Sequence, residues 1–78
     1  MTLGQIKCFV TVVDEQSFAK AANALFVSQP AISKSISKLE DELGFELLER
    51  KGGSLQLTSA GKALYDFFVK SESDYRDI

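Results

Sequence analysis

Residues 17 to 44 read SFAKAANALFVSQPAISKSISKLEDELG, from Ser17 to Gly44. Two helical patterns lie in this stretch with almost nothing between them. Phe18, Ala21, Ala22 and Leu25 form a short apolar stripe whose small residues let another helix approach closely. Ser17 stands where the N-cap of that helix belongs. Ile32, Ile36, Leu39 and Leu43 form a second stripe at spacings of 4, 3 and 4. Ser28 caps its start, and Pro30 falls in the first turn, where a missing N–H costs nothing. Gly44 supplies a left-handed stop. Only Phe26 and Val27 separate the first stripe from Ser28. So short a connection predicts a helix-turn-helix with its second helix presented for contact.

Upstream, Leu3, Ile6, Val10 and Val13 fall on one helical face, which Phe9 and Val12 widen, and Thr2 can cap its start. Downstream of Gly44 the period changes. Leu47 to Arg50 and Leu55 to Leu57 are short strand patterns, and the connector Lys51-Gly52-Gly53-Ser54 reads as a hairpin loop. Thr58 caps a fourth helix, along which Leu64, Phe68, Ser71, Tyr75 and Ile78 recur at helical spacing, with Ala60 and Phe67 beside them. The expected fold is therefore mainly α: a winged helix-turn-helix, with a three-helix core and a two-stranded wing, over residues 1–58. A long linker or dimerisation helix follows over 59–78.

Composition removes several function classes. The 78 residues leave room for one small domain, with 45% apolar and 26% charged residues. No apolar run exceeds the four residues Ala24 to Val27, so no membrane span or membrane partner is expected. No secretory signal stands at the N-terminus, and the expected location is cytoplasmic. Cys8 is the only cysteine and there is no histidine. The commonest general base and the commonest metal ligand are thus missing, and neither a metal site, a cofactor nor an enzyme is expected. The adjacent Glu40, Asp41 and Glu42 diverge by about 100° each on a helix and cannot converge on one ion. Cys8 is read as packing at the margin of the first helix, because a sensor thiol needs a neighbour that stabilises its thiolate.

The formal charge of −2 is unusual for a protein that binds nucleic acid. Its distribution is more informative. Residues 1–38 carry a net +2, residues 39–49 a net −5, residues 50–65 a net +3 and residues 66–78 a net −2. Two basic zones flank an acidic one. Screening over about 8 Å lets a local basic face act despite distant acids.

On a helix starting near Ser28, the side opposite the apolar stripe presents Pro30, Ser33, Lys34, Ser37 and Lys38, with Gln29 at its border in the first turn. This face is small, polar and cationic. A DNA major groove, about 12 Å wide, admits such a helix. Gln29 can pair bidentately with adenine, Lys34 can donate to guanine, Ser33 can bond several base edges, and Pro30 can meet a thymine methyl. Gln29, Pro30, Ser33 and Lys34 are the candidate base contacts. The helix starts at Ser17 and Ser28 favour anions. With Ser37, Lys38, Arg50 and Lys51 they are the candidate phosphate contacts. Read alone, the same serines and lysines also fit an ordinary solvated helix face.

Ser17-Phe18, Ala21-Ala22 and Leu25, then Val27-Ser28-Gln29-Pro30-Ala31-Ile32-Ser33, Leu43-Gly44, Leu47-Leu48-Glu49-Arg50 and Leu57-Thr58-Ser59-Ala60-Gly61, closely resemble the N-terminal domain of LysR-type transcriptional regulators. The resemblance runs from about Leu3 to Leu64. It implies a bacterial winged helix-turn-helix that binds operator DNA as a homodimer through its linker helix. It also implies a larger C-terminal domain, absent from this chain, that would bind a small-molecule effector. Gln29, Pro30, Ser33 and Lys34 match the family's base-reading positions, and Ser28, Lys38 and Arg50 its backbone-contacting ones. Lys34 stands where the family often has Arg. Gly53, Ser54 and Gln56 stand where wing arginines are common, and Leu48 replaces a frequent Phe. On the fourth helix, Leu64, Phe67, Phe68 and Tyr75 are the expected dimer seam. The alternative function is a winged-helix protein-interaction module that never touches DNA, motivated by the acidic total and the depleted wing.

Overall fold

Three helices, a two-stranded hairpin and a fourth helix follow in chain order: α1 (Leu3–Glu15), α2 (Phe18–Leu25), α3 (Gln29–Leu43), β1 (Leu48–Lys51), β2 (Ser54–Leu57) and α4 (Ser59–Arg76). The computed structural model describes the backbone of residues 1–76 and the side chains of residues 1–70. Two compact units divide the chain, Met1–Phe45 and the residues from Glu46 onward.

In the first unit each of the three helices contacts the other two. Each begins with a side-chain cap. Thr2 Oγ1 accepts the Gln5 N–H at 3.1 Å, and Gln5 Oε1 accepts the Thr2 N–H at 2.8 Å, a reciprocal capping box. Ser17 Oγ accepts the Lys20 N–H at 3.1 Å, and Ser28 Oγ accepts the Ala31 N–H at 3.2 Å. Ala21 and Ala22 of α2 are buried, as are Ile32, Ile36 and Leu39 of α3, and α3 ends at left-handed Gly44.

The buried face of α1 differs from the expected one. Gln5, Phe9 and Val12 are buried, whereas Leu3 is 81% exposed and Ile6, Val10 and Val13 are half-buried. Apolar residues cover more than half of this helix's circumference, so spacing alone marks a broad arc and not its centre. The two residues read as widening the stripe are its middle. Gln5 tolerates burial because its side chain is bonded in the capping box.

In the second unit β1 and β2 pair antiparallel, with Leu48 opposite Leu57, Glu49 opposite Gln56, Arg50 opposite Leu55 and Lys51 opposite Ser54. The connector is shorter than the four residues expected. Only Gly52 and Gly53 lie outside the ladder, with φ of 57° and 81°. Positive φ at both central positions is the two-residue turn whose twist suits a hairpin, and glycine adopts it without a Cβ clash. Leu47, expected as the first strand residue, precedes β1 and is fully buried. Its carbonyl accepts the Thr58 N–H at 3.0 Å, while Thr58 Oγ1 donates to the Glu46 carbonyl at 2.7 Å and accepts the Gly61 N–H at 2.9 Å. One threonine thus caps α4 and ties its start to the segment before the hairpin.

Candidate nucleic-acid interface

The turn between α2 and α3 is built by backbone bonds. Phe26 takes a left-handed conformation, φ 59° and ψ 41°, at the end of α2. Its N–H bonds the Asn23 carbonyl at 3.3 Å, and the Val27 N–H bonds the Ala22 carbonyl at 3.0 Å. These bonds satisfy carbonyls that the end of α2 would otherwise leave unpaired. The chain then extends at Ser28, φ −77° and ψ 155°, and α3 begins.

With Ile32, Ile36 and Leu39 turned into the core, helical geometry leaves the opposite side of α3 to solvent. Gln29, Pro30, Ser33, Lys34, Ser37 and Lys38 are all exposed. All six expected residues of α3 are therefore available on its surface, and Lys34 is not turned inward. Ser28 is exposed and Ser17 half-buried, each with its hydroxyl engaged as an N-cap. Glu42, one turn beyond Lys38, is held below the usual carboxylate range. The largest cause is a hydrogen bond from the N-terminal amine at 2.6 Å, opposed by desolvation, followed by a bond from Gln5, with the Lys38 charge a smaller contributor.

Two residues of this region carry signals that spacing did not single out. Lys20 lies exposed in the first turn of α2. Between Glu15 and Glu40 there is no acid at all, so Lys20, Lys34 and Lys38 give the helix-turn-helix segment a net charge of +3. Counting charge by element would have found it. Phe26 is 95% exposed, the most exposed of the large apolar residues described. A bulky residue in a two-residue interhelical turn was the available hint.

The wing presents its two cations on opposite faces. Side chains alternate along a strand, so Arg50 shares a face with Leu48, and Lys51 shares the other with Glu49. Both cations are exposed, and the Lys51 ammonium lies 3.6 Å from the Glu49 carboxylate. Arg50, expected at the end of the first strand, and Lys51, expected in the connector, both lie within the ladder, where their directions are set by register. On α4, Leu64 and Phe68 are half-buried and Phe67 is 63% exposed. The Phe67 and Phe68 rings meet edge-to-face with centroids 5.9 Å apart. The side chain of Tyr75, the fourth expected seam residue, lies outside the described residues.

Among the described residues no group of three His, Cys, Asp or Glu side chains can hold a metal ion, and no helix is long and apolar enough to cross a membrane. Cys8 is a half-buried free thiol.

Known proteins share this sequence and this arrangement. The transcriptional regulator BenM of Acinetobacter baylyi is 44% identical over 70 residues, 90% of this chain and 23% of BenM. The regulator YtlI of Bacillus subtilis is 53% identical over 66 residues, 85% of this chain and 21% of YtlI. The chain thus spans under a quarter of the length of these curated relatives. Among solved structures, the BenM DNA-binding domain in complex with catB site 1 DNA superposes with a TM-score of 0.89 at 42% identity, covering 99% of this chain and 86% of that one. A LysR-family regulator from Eggerthella lenta gives 0.85 at 35% identity, covering 88% of this chain and 99% of that one. The family described as "Bacterial regulatory helix-turn-helix protein, lysR family" matches residues 3–62, which span α1 through the first turn of α4. Sequence and superposition agree, and the chain belongs to the LysR family of bacterial regulatory helix-turn-helix proteins.

Proposed function

We propose that this chain is the sequence-specific DNA-binding part of a bacterial transcriptional regulator. Helix α3 enters the major groove of double-stranded operator DNA. Gln29, Pro30, Ser33 and Lys34 meet base edges, and Ser17, Ser28, Ser37, Lys38, Arg50 and Lys51 meet the phosphate backbone. Phosphate contacts set affinity and register, and base contacts set sequence choice. Residues 1–58 carry the DNA contacts. Residues 59–78 pair with a second copy through Leu64, Phe67, Phe68 and Tyr75, and two-fold symmetry then calls for paired half-sites. The regulator is non-catalytic and cytoplasmic, and its small-molecule effector binds a further domain.

The observation that carries this reading is the outer face of α3: six exposed residues, small, polar or cationic, in a segment with no acid from Gln16 to Leu39. The BenM DNA-binding domain, of the same family, was crystallised on DNA. Binding to a mixed-sequence duplex at two salt concentrations tests it. Four cations, Lys34, Lys38, Arg50 and Lys51, give a log–log salt slope of at most about −3.6 per chain and roughly twice that for a dimer. Gln29→Ala is expected to relax preference at one base pair at about 1–3 kcal/mol. Uniform weakening across all sequences would move Gln29 among the phosphate contacts.

Two observations favour a second reading. The chain is acidic overall and Glu49 partly neutralises the wing's Lys51. A winged-helix module that docks on protein would show no salt-dependent duplex binding.

A further inference from the structure

We infer that the Phe26 ring is itself a DNA-contacting surface, seated on the deoxyribose wall of the groove that α3 enters. The inference rests on the DNA-binding reading above. Phe26 is 95% exposed, so its ring adds almost nothing to the core. It also occupies left-handed backbone, φ 59°, where a bulky side chain is an outlier and glycine or asparagine is at ease. Folding therefore gains nothing from phenylalanine here and is opposed by it. Strain of this kind at an exposed position points to a role outside the fold.

Position identifies the surface the ring meets. Gln29 lies three positions beyond Phe26, so their Cα atoms lie within about 11 Å. The major groove is about 12 Å wide. With Gln29 at a base edge, Phe26 is within reach of the groove's rim, where the sugar–phosphate chain runs. The turn around it is apolar and open: Ala24, Val27, Pro30 and Ala31 are exposed as well. The segment that carries it has a net +3 charge, complementary to the polyanion and not to an apolar protein groove. A ring at the rim meets deoxyribose C–H groups, which are the apolar part of that wall. It adds affinity without a charge and without reading bases.

The test separates affinity from stability. Phe26→Gly and Phe26→Asn both suit the left-handed conformation, so each is expected to melt at or above the wild-type temperature. Each is expected to bind a mixed-sequence duplex roughly tenfold more weakly, from losing about half a ring of apolar contact. The salt slope stays at the wild-type value, because no cation is removed. Phe26→Tyr keeps the ring and restores affinity. Wild-type affinity in both the Gly and Asn variants would overturn the inference, and the ring would then belong to a protein partner's seat. A reduced salt slope would also overturn it, since the effect would run through displaced cations. Failure of the wild-type chain to bind any duplex would instead refute the DNA-binding reading itself.

Discussion

Gly61 offers a sharp test of how the second unit is held, because propensity and packing predict opposite signs. By propensity, Gly61→Ala in a helix should stabilise by about 1 kcal/mol. The geometry forbids it. A Cβ on Gly61 would overlap the Leu47 carbonyl oxygen and lie 2.9 Å from its carbonyl carbon and 3.1 Å from its Cα. All three atoms are backbone, so no side chain can swing away. The same carbonyl accepts the Thr58 N–H at 3.0 Å, and the Leu47 side chain is fully buried, so the segment is fixed from both sides. Overpacking against such a wall costs about 3 kcal/mol. Weakening the Thr58–Leu47 bond adds about 1 kcal/mol. Set against the gain in propensity, the net loss is about 3 kcal/mol. For a domain of this size that lowers the melting temperature by about 12–24 °C. Thermal unfolding followed by circular dichroism reads it directly. A variant melting within about 2 °C of wild type, or above it, would show that Leu47 moves freely, and the account of this junction would be wrong.

Further outcomes follow from the same geometry. Thr58→Val removes both the cap to Gly61 and the bond to the Glu46 carbonyl and should cost about 1–2 kcal/mol in urea unfolding, while Thr58→Ser should recover most of it. In the wing, Gly52→Asn should be nearly neutral, because asparagine tolerates left-handed backbone. Gly53→Val should lose about 1 kcal/mol or more, visible as loss of the hairpin's cross-strand NMR contacts. Glu42 titrates below the ordinary carboxylate range in the folded chain, through its bond from the N-terminal amine. Its depressed value contributes stability at pH above the unfolded carboxylate value, and that contribution is lost as pH falls through the folded value. Glu42→Gln should therefore lower the melting temperature at neutral pH, where that contribution is present, and converge on the wild type as pH falls below about 4.5, which flattens the acid limb. An unchanged acid limb would remove Glu42 from the account.

Much of the molecule was readable before folding is considered. Thr2, Ser17, Ser28 and Thr58 announce four helix starts, because a capping hydroxyl bonds an N–H only three residues away. The Ile32, Ile36 and Leu39 stripe leaves Ser33, Lys34, Ser37 and Lys38 outward, because a narrow stripe has only one opposite side. Local chemistry and a 3.6-residue period suffice for all of this. The remainder depends on partners distant in the chain. Helix α1 has too broad an apolar arc to choose its own buried centre, and contact with α2 and α3 selects Phe9 and Val12 over Leu3. Lys51 reads as part of a loop, yet pairing with Ser54 extends the strand through it, and alternation along that strand sends it to the face opposite Arg50. Gly61 looks like a poor helix residue until the Leu47 carbonyl is found where its Cβ would stand. A repeat along the chain encodes direction around one element's axis, but only the approach of a second element says which directions are filled.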